Sequence, residues 1–374
     1  MAWNRLNRGL SPMFAGAMAL LGAAGGAWGE PGVTRVDRLM YLGNPTCTGA
    51  KCHNSDAELQ GGQMIGDEYL IWEQKDPHFK AFATLSSADS KDIASKLSIA
   101  DAAASSRCLS CHATDVPEAQ RGEKWALDQA VSCEACHGPA EVYRDPHANA
   151  GWTAEQRKTL DAKGMRDTHG ILDTTHLGVR ATMCTACHLQ IDKDMVDAGH
   201  PALKFEMAAY NEYLWLPRDM QPHWTKPSAS PINARLWAIG QVVSLDAAKR
   251  QVEAWRSKGW DAASAEGLVK LYSRGAEIAK THFGAGGVEG LESAAISEAA
   301  ASAAAADLAS EAAAATNPEE REIVLYGVVS LTMACLDLRG EQASDEFWDT
   351  FDAAFDAEGE AFSTQIAKLA AMAK

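Results

Sequence analysis

The sequence is short of basic residues. It contains 34 lysines and arginines against 50 aspartates and glutamates, so its formal net charge at pH 7 is −16. Because nucleic acids are bound largely through cationic contacts with their phosphates, this charge disfavours nucleic acid as a partner. A negative surface can steer a basic protein partner, but an excess of one charge is more often simply a solvated face.

Long hydrophobic runs are absent beyond the first thirty residues, so nothing further along the chain is predicted to span a membrane, and membrane association is not required. At the start, Arg5 and Arg8 precede an apolar run from Met13 to Ala24, and small residues then lead to Gly29. This pattern predicts a secretory signal peptide over residues 1–29, with an uncleaved anchor as the alternative. Since no cysteine lies near the predicted cleavage point, a lipoprotein is excluded.

Isolated cysteines are also scarce, because eight of the nine cysteines form four close pairs and only Cys335 stands alone. Each pair ends in a histidine, and we number the four motifs as sites 1 to 4 in chain order. The sites read CTGAKCH (Cys47, Cys52, His53), CLSCH (Cys108, Cys111, His112), CEACH (Cys133, Cys136, His137) and CTACH (Cys184, Cys187, His188).

The C-x-x-C-H spacing is the attachment signal for c-type haem. Two thiols must reach the two vinyl groups on one porphyrin edge, while the adjacent imidazole meets the iron as the proximal ligand. Structural zinc also uses paired cysteines, but it does not require a histidine after every second one. A thioredoxin-like dithiol would need a βαβ pattern, which is missing. The sequence therefore predicts four covalently bound haem c groups, with site 1 departing from the standard spacing by two residues.

Candidates for the second axial ligands are abundant. Outside the motifs there are seven histidines, and six of them lie in the same segment as the attachment sites. Such clustering favours ligation, and bis-histidine irons have low potentials. The predicted distal ligands are His78, His147, His200, His223 and His176. The sequence does not assign them to particular irons, and His169 and His282 are interpreted as structural or exposed.

The order of these features resembles the cytochrome c-554 family of multihaem cytochromes. The resembling stretches are YLGNPTCTGAKCH, DPHFKAF, VSCEACHGPAEVYRDPH, and CTACH followed by AGHPALKFE. The resemblance implies a mostly helical fold with haems stacked in close pairs and three bis-histidine irons, and leaves open a five-coordinate fourth. It also implies that His78 and His147 serve haems other than those nearest in sequence. Site 1 is expanded relative to the family pattern, and about 140 C-terminal residues have no counterpart in it.

The predicted fold class is mainly α, in two parts. A proline-rich stretch from Pro222 to Pro231 separates a tetrahaem cytochrome c domain, residues 30–225, from an all-helical domain without haem motifs, residues 232–374. Four or five helices are expected in the second part. Asn317-Pro318-Glu319 predicts the start of the next-to-last helix, and Cys335 fits a buried helical position. The alanine-rich run from Ser293 to Ala315 permits either close helix contact or a solvated helix.

These features predict a periplasmic electron carrier that passes electrons between a donor and an acceptor redox protein. The alternative is a haem enzyme in which one open iron acts on a small nitrogen species such as nitric oxide, nitrite or hydroxylamine. Specialised haem-enzyme signals are missing, since no lysine replaces a proximal histidine. A further hypothesis is that the C-terminal bundle is an interaction module that docks the cytochrome into a larger complex.

Overall fold

The computed structural model describes residues 38–49, 52–54, 66–212, 214, 232–284 and 287–374. Within these residues the regular structure is helical, apart from an isolated bridge between Tyr41 and Arg121. The predicted mainly α fold is therefore confirmed. The predicted signal peptide, residues 1–29, and the candidate ligand His223 lie outside the described residues.

The part that carries the four motifs is built from short helices linked by turns, because prolines, glycines and the motifs themselves interrupt the chain. Side-chain caps begin several of them. Asp161 Oδ1, for example, accepts a hydrogen bond from Gly164 N at 2.7 Å. The α-helices are α1 (Glu68–Gln74), α2 (Ala81–Thr84), α3 (Ala88–Lys96), α4 (Ser106–His112), α5 (Cys133–His137), α6 (Arg144–His147), α7 (Trp152–Gln156), α8 (Ala162–His169), α9 (Leu177–His188), α10 (Lys193–Asp197) and α11 (Met207–Glu212).

The part without haem motifs forms a bundle of mostly longer helices. They are α12 (Ile232–Ser257), α13 (Ala263–Phe283), α14 (Val288–Ser293), α15 (Glu298–Ser310), α16 (Pro318–Arg339), α17 (Asp345–Phe355) and α18 (Gly359–Ala371). Seven described helices exceed the four or five expected, because short helices such as α14 and α17 were not separated in the sequence pattern. Asn317 does cap α16, accepting from Glu320 N at 2.9 Å, but two helices follow rather than one.

The alanine-rich run forms α15 and makes close helix contact. Ala301, Ala304 and Ala305 are fully buried against the bundle, at the three- and four-residue spacing of one helix face. Cys335 on α16 is buried in the same region, as predicted, and its Sγ lies 3.7 Å from Glu298 O. Small side chains on α15 therefore let it approach α16 closely.

Gly327 on α16 is closely packed against neighbouring side chains. A Cβ added there would lie 2.7 Å from Leu308 Cδ2 and 2.8 Å from Trp237 Nε1. We expect Gly327→Ala to lower the free energy of unfolding by about 1–3 kcal/mol. That loss outweighs the gain in helix propensity of about 1 kcal/mol. Chemical denaturation measures it, with Gly287→Ala as the control, because a Cβ at Gly287 meets nothing within 4 Å. Equal stabilities of the two variants would contradict the expectation.

The largest hydrophobic core crosses the predicted boundary between the two parts. It joins Leu189, Phe205 and Met207 from the first part to Leu236 and Trp237 of α12 and to further residues of the bundle. Helix α9, which ends in site 4, packs directly on α12. Site 4 is therefore supported by the bundle. None of the described helices combines the length and the apolar character needed to cross a membrane.

Candidate haem-binding sites

Three of the four attachment motifs end an α-helix. Helix α4 ends at His112, α5 at His137 and α9 at His188. Residues three and four apart lie on one helix face, so the two cysteines and the histidine of each motif project to the same side. At site 1 the longer spacing gives a turn instead, in which His53 N donates to Cys47 O at 3.2 Å. The expanded motif thus still brings its histidine back toward its first cysteine.

The proximal histidines of three sites each lie beside a histidine from elsewhere in the chain. The ring-centroid separations are 6.1 Å for His53 and His147, 5.9 Å for His188 and His78, and 6.3 Å for His112 and His200. Imidazole–metal bonds of about 2 Å on opposite sides of one metal place the two ring centres roughly 6 Å apart. Each pair therefore fits a single iron held between two imidazoles.

Backbone carbonyls orient several of these rings. The Nδ1 atoms of three histidines lie within hydrogen-bond distance of carbonyl oxygens: His112 of Ala81 at 2.9 Å, His147 of Tyr143 at 3.0 Å, and His200 of Pro201 at 2.9 Å. A carbonyl oxygen can only accept, so Nδ1 must carry the hydrogen and, in the neutral ring, Nε2 keeps its lone pair. Histidines that ligate metals are oriented in this way.

Two further histidines are oriented by carboxylates. His53 Nδ1 lies 3.2 Å from Glu68 Oε2, and the hydrogen bond between them raises the pKa of His53. His78 Nδ1 lies 2.9 Å from Oδ1 of the buried Asp76, which also accepts from His78 N. Such partners increase the basicity of a ligating imidazole. Neither carboxylate was predicted as a histidine partner from the sequence, although the Asp76-Pro77-His78 run is a recognisable helix-start pattern.

His188 occupies the most enclosed of these positions. Its ring packs against Phe205 at 5.7 Å and Tyr210 at 5.1 Å between centroids. Burial, together with the like charge of His78, lowers the pKa of His188 to about 3. The imidazole is therefore neutral across the physiological range, which is the state in which it can bind a metal.

Cysteines of different sites lie against one another. Cys133 of site 3 is hydrogen-bonded to Cys47 of site 1, which lowers the pKa of the Cys47 thiol to about 7. Cys187 of site 4 is likewise hydrogen-bonded to Cys111 of site 2, and this contact lowers the pKa of Cys111. Site 1 therefore adjoins site 3, and site 2 adjoins site 4.

Sites 3 and 4 are also neighbours, because Cys136 of site 3 lies near Cys184 of site 4. Burial raises the pKa of the Cys136 thiol to about 12, and the neighbouring Cys184 adds to the rise. Arg180, one helical turn before Cys184, acts on both thiols in the opposite direction. The four sites thus form a continuous series in the order 1, 3, 4, 2.

The remaining predicted ligands are placed differently. His137 ends α5, and its carbonyl accepts from Leu172 N at 3.0 Å. The His176 ring lies between two carboxylates, with Nδ1 3.5 Å from Glu292 Oε2 and Nε2 4.0 Å from Asp173 Oδ2. This environment suits an ion pair. The assignments of His176 and of His223 as distal ligands stay predictions.

Comparison with protein families identifies part of this arrangement. A family model described as cytochrome c554 and c-prime matches residues 46–138. This segment is therefore similar to the cytochrome c554 family. The match includes sites 1, 2 and 3 and His78 of the cytochrome, whereas site 4, His147 and His200 lie beyond it. No curated protein and no solved structure matches the chain.

The match supports electron transfer by covalently bound haem c as the general chemistry of the chain. The residues present fit that group. Each motif supplies two thiols and one histidine, and three proximal histidines face a second imidazole at the separation that one iron requires. The bundle of α12 to α18 lies outside the matched segment.

Proposed function

We propose that this cytochrome carries four haem c groups and relays electrons between a donor and an acceptor protein in the periplasm. The observation that carries the proposal is the set of three histidine pairs, each with the spacing of one six-coordinate iron. An iron with two protein ligands has no position left for a substrate. Closed irons of this kind favour a carrier over an enzyme.

The order of the sites supports a relay. Hydrogen bonds between cysteines link site 1 to site 3 and site 4 to site 2, and the electrostatic effect of Cys184 on Cys136 links site 3 to site 4. Cysteines attach to the porphyrin edge, so neighbouring cysteines bring neighbouring porphyrin edges together. Electrons entering at either end of the series would cross it by short steps. The bound haem supplies the redox chemistry, and the protein fixes the spacing and the axial ligands.

The predicted signal peptide supports export, because haem is attached to c-type cytochromes outside the cytoplasm. The donor and acceptor are proposed to be redox proteins. Since the chain carries a formal net charge of −16, a partner with a basic surface would be steered toward it at low ionic strength. The bundle, which supports site 4, is proposed to serve also as a docking module for such a partner.

Haem counting by intact-protein mass spectrometry tests the proposal. We expect the purified holoprotein to carry the mass of four haems, including one at the expanded site 1. Replacing both cysteines of site 4, Cys184→Ala with Cys187→Ala, should remove one haem, and Cys47→Ala with Cys52→Ala should remove another. Cys335→Ala is the matched control and should remove none, because this cysteine is buried in α16. A wild-type mass with fewer than four haems would overturn the tetrahaem proposal.

A further inference from the structure

A buried negative charge lies where site 1 meets site 3. Glu134 belongs to the site 3 motif, and the residue is only 2% exposed. Its carboxylate accepts hydrogen bonds from Leu42 N at 2.8 Å, Gly43 N at 2.7 Å and Ala140 N at 2.8 Å. Three backbone donors can satisfy a buried carboxylate without neutralising it, because each remains uncharged.

The same contacts fix this charge beside site 1. Leu42 and Gly43 immediately precede the turn that leads to Cys47. The turn is also held from the site 3 side, since Cys133 N donates to Asn44 Oδ1 at 3.1 Å. Glu134 is therefore shared between sites 1 and 3 and lies distant in the series from site 2.

A partly buried positive charge lies where site 3 meets site 4. Arg180 is one helical turn before Cys184 on α9, so both side chains lie on the same helix face. Its Nε donates to Thr174 O at 3.0 Å and its Nη1 to Asn211 Oδ1 at 3.1 Å. Both acceptors are neutral, and the charge of Arg180 acts on Cys136 and Cys184 alike. The guanidinium is thus a cation between sites 3 and 4.

We propose that Glu134 and Arg180 polarise the haem series, so that site 1 is its low-potential end and electrons are drawn from site 1 toward site 4. A buried anion disfavours the addition of an electron to a nearby iron, and a buried cation favours it, because the protein interior screens charge weakly. This inference rests on the proposed four-haem relay. At site 3 the two charges oppose each other, which gives that site an intermediate potential.

The carboxylates on the axial histidines do not reverse this order. Glu68 is hydrogen-bonded to His53 at site 1, and Asp76 is hydrogen-bonded to His78 at site 4. Each of these two sites therefore carries one such partner, and their effects on the difference in potential between the two sites offset each other. Glu134, beside site 1, and Arg180, beside site 4, are charges that the two sites do not share.

A redox titration of the full-length holoprotein, followed by electron paramagnetic resonance, tests the inference. The rings of His53 and His147 are nearly parallel, at 2°, whereas the site 4 and site 2 pairs are inclined at 80° and 81°. Parallel imidazoles give a rhombic low-spin signal and perpendicular ones a highly anisotropic signal, so site 1 can be followed separately from sites 2 and 4.

We expect Glu134→Gln to raise the midpoint potential of the rhombic signal, and Arg180→Gln to lower that of one highly anisotropic signal. Arg180→Lys keeps the charge and should leave the potentials close to the wild-type values. Glu155→Gln is the control for removal of an exposed carboxylate, since the Glu155 side chain is 64% exposed.

The other possible results would overturn either this inference or the proposed relay. Potentials of Glu134→Gln no different from those of Glu155→Gln would overturn the inference, as would equal shifts in Arg180→Lys and Arg180→Gln. If Glu134→Gln fails to fold, the two arginine variants alone decide. Four haems with unshifted potentials would refute only this inference, whereas a wild-type mass with fewer haems would refute the relay itself.

Discussion

Replacing His147 by alanine is expected to convert the iron of site 1 from low-spin to high-spin without loss of its haem. Cys47, Cys52 and His53 remain in the variant, so covalent attachment and the proximal ligand are unchanged. The imidazole that lies 6.1 Å from the His53 ring is removed, and alanine supplies no replacement ligand. The whole population of the site 1 iron should become high-spin, because His147 is the residue that the structure brings to this site.

Low-temperature electron paramagnetic resonance of the oxidised protein measures the change. The rhombic signal of the parallel His53 and His147 pair should disappear, and a high-spin signal should replace it. The signals of sites 2 and 4 should persist. His282→Ala is the control, because His282 is not a predicted ligand and its Nε2 lies 2.8 Å from Asp307 Oδ2 in the bundle. An unchanged rhombic signal in His147→Ala would assign the distal ligand of site 1 to another residue.

Nitric oxide added in the same experiment separates the carrier from the enzyme hypothesis. It should bind the opened iron of His147→Ala and leave the low-spin signals of the wild-type protein unchanged. A wild-type iron that is high-spin and reacts with nitric oxide would instead support the enzyme that acts on a small nitrogen species. The variant thus provides the positive control for an open site.

Removal of residues 232–374 is expected to destroy site 4 rather than release an independent haem domain. The deletion would expose Leu189, Phe205 and Met207, which are buried in the shared core. Exposing a large apolar side chain costs about 1.5–3 kcal/mol. Three such losses are comparable with the whole stability of a domain, about 5–15 kcal/mol. The deletion also removes Trp255 Nε1, which donates to Ile191 O at 2.7 Å just after site 4.

Electron paramagnetic resonance, thermal unfolding and limited proteolysis of the truncated protein measure this effect. Cys184 and Cys187 remain, so the site 4 haem should stay covalently attached. We expect its low-spin signal, which depends on the pairing of His78 and His188, to be lost, and the melting temperature to fall. A protease site introduced within residues 215–230 provides the matched control, since it cuts the connection but leaves both parts present. The nicked protein should remain associated and keep the low-spin signal of site 4. A truncated protein with an unchanged low-spin signal and an unchanged melting temperature would show that the two parts fold independently.

Much of the candidate site was predictable from local sequence. The four motifs follow from covalent chemistry, which fixes the spacing between two thiols and a histidine. The helical class, the cap at Asn317 and the burial of Cys335 follow from patterns within a few turns of helix. The number of bundle helices was underestimated, because short helices such as α14 have too few turns to show a clear period.

The partners of the histidines could not be predicted in the same way. His78 lies beside His188 rather than beside a nearer site, and His200 lies beside His112. Any of several histidines could reach any iron as far as local sequence is concerned. Glu134 gave no signal either, since the residues between two attachment cysteines are not constrained by the chemistry of attachment.

By itself the sequence determined the chemical inventory of this protein: the thiols, the proximal histidines, a surplus of further histidines and a helical chain. Each of these depends on residues that are close together in the sequence. The tertiary structure alone decided which imidazoles face each other, the order of the sites, the charges between them and the core that joins site 4 to the bundle. These features are contacts between distant segments, and packing brings such segments together only when the whole chain has folded.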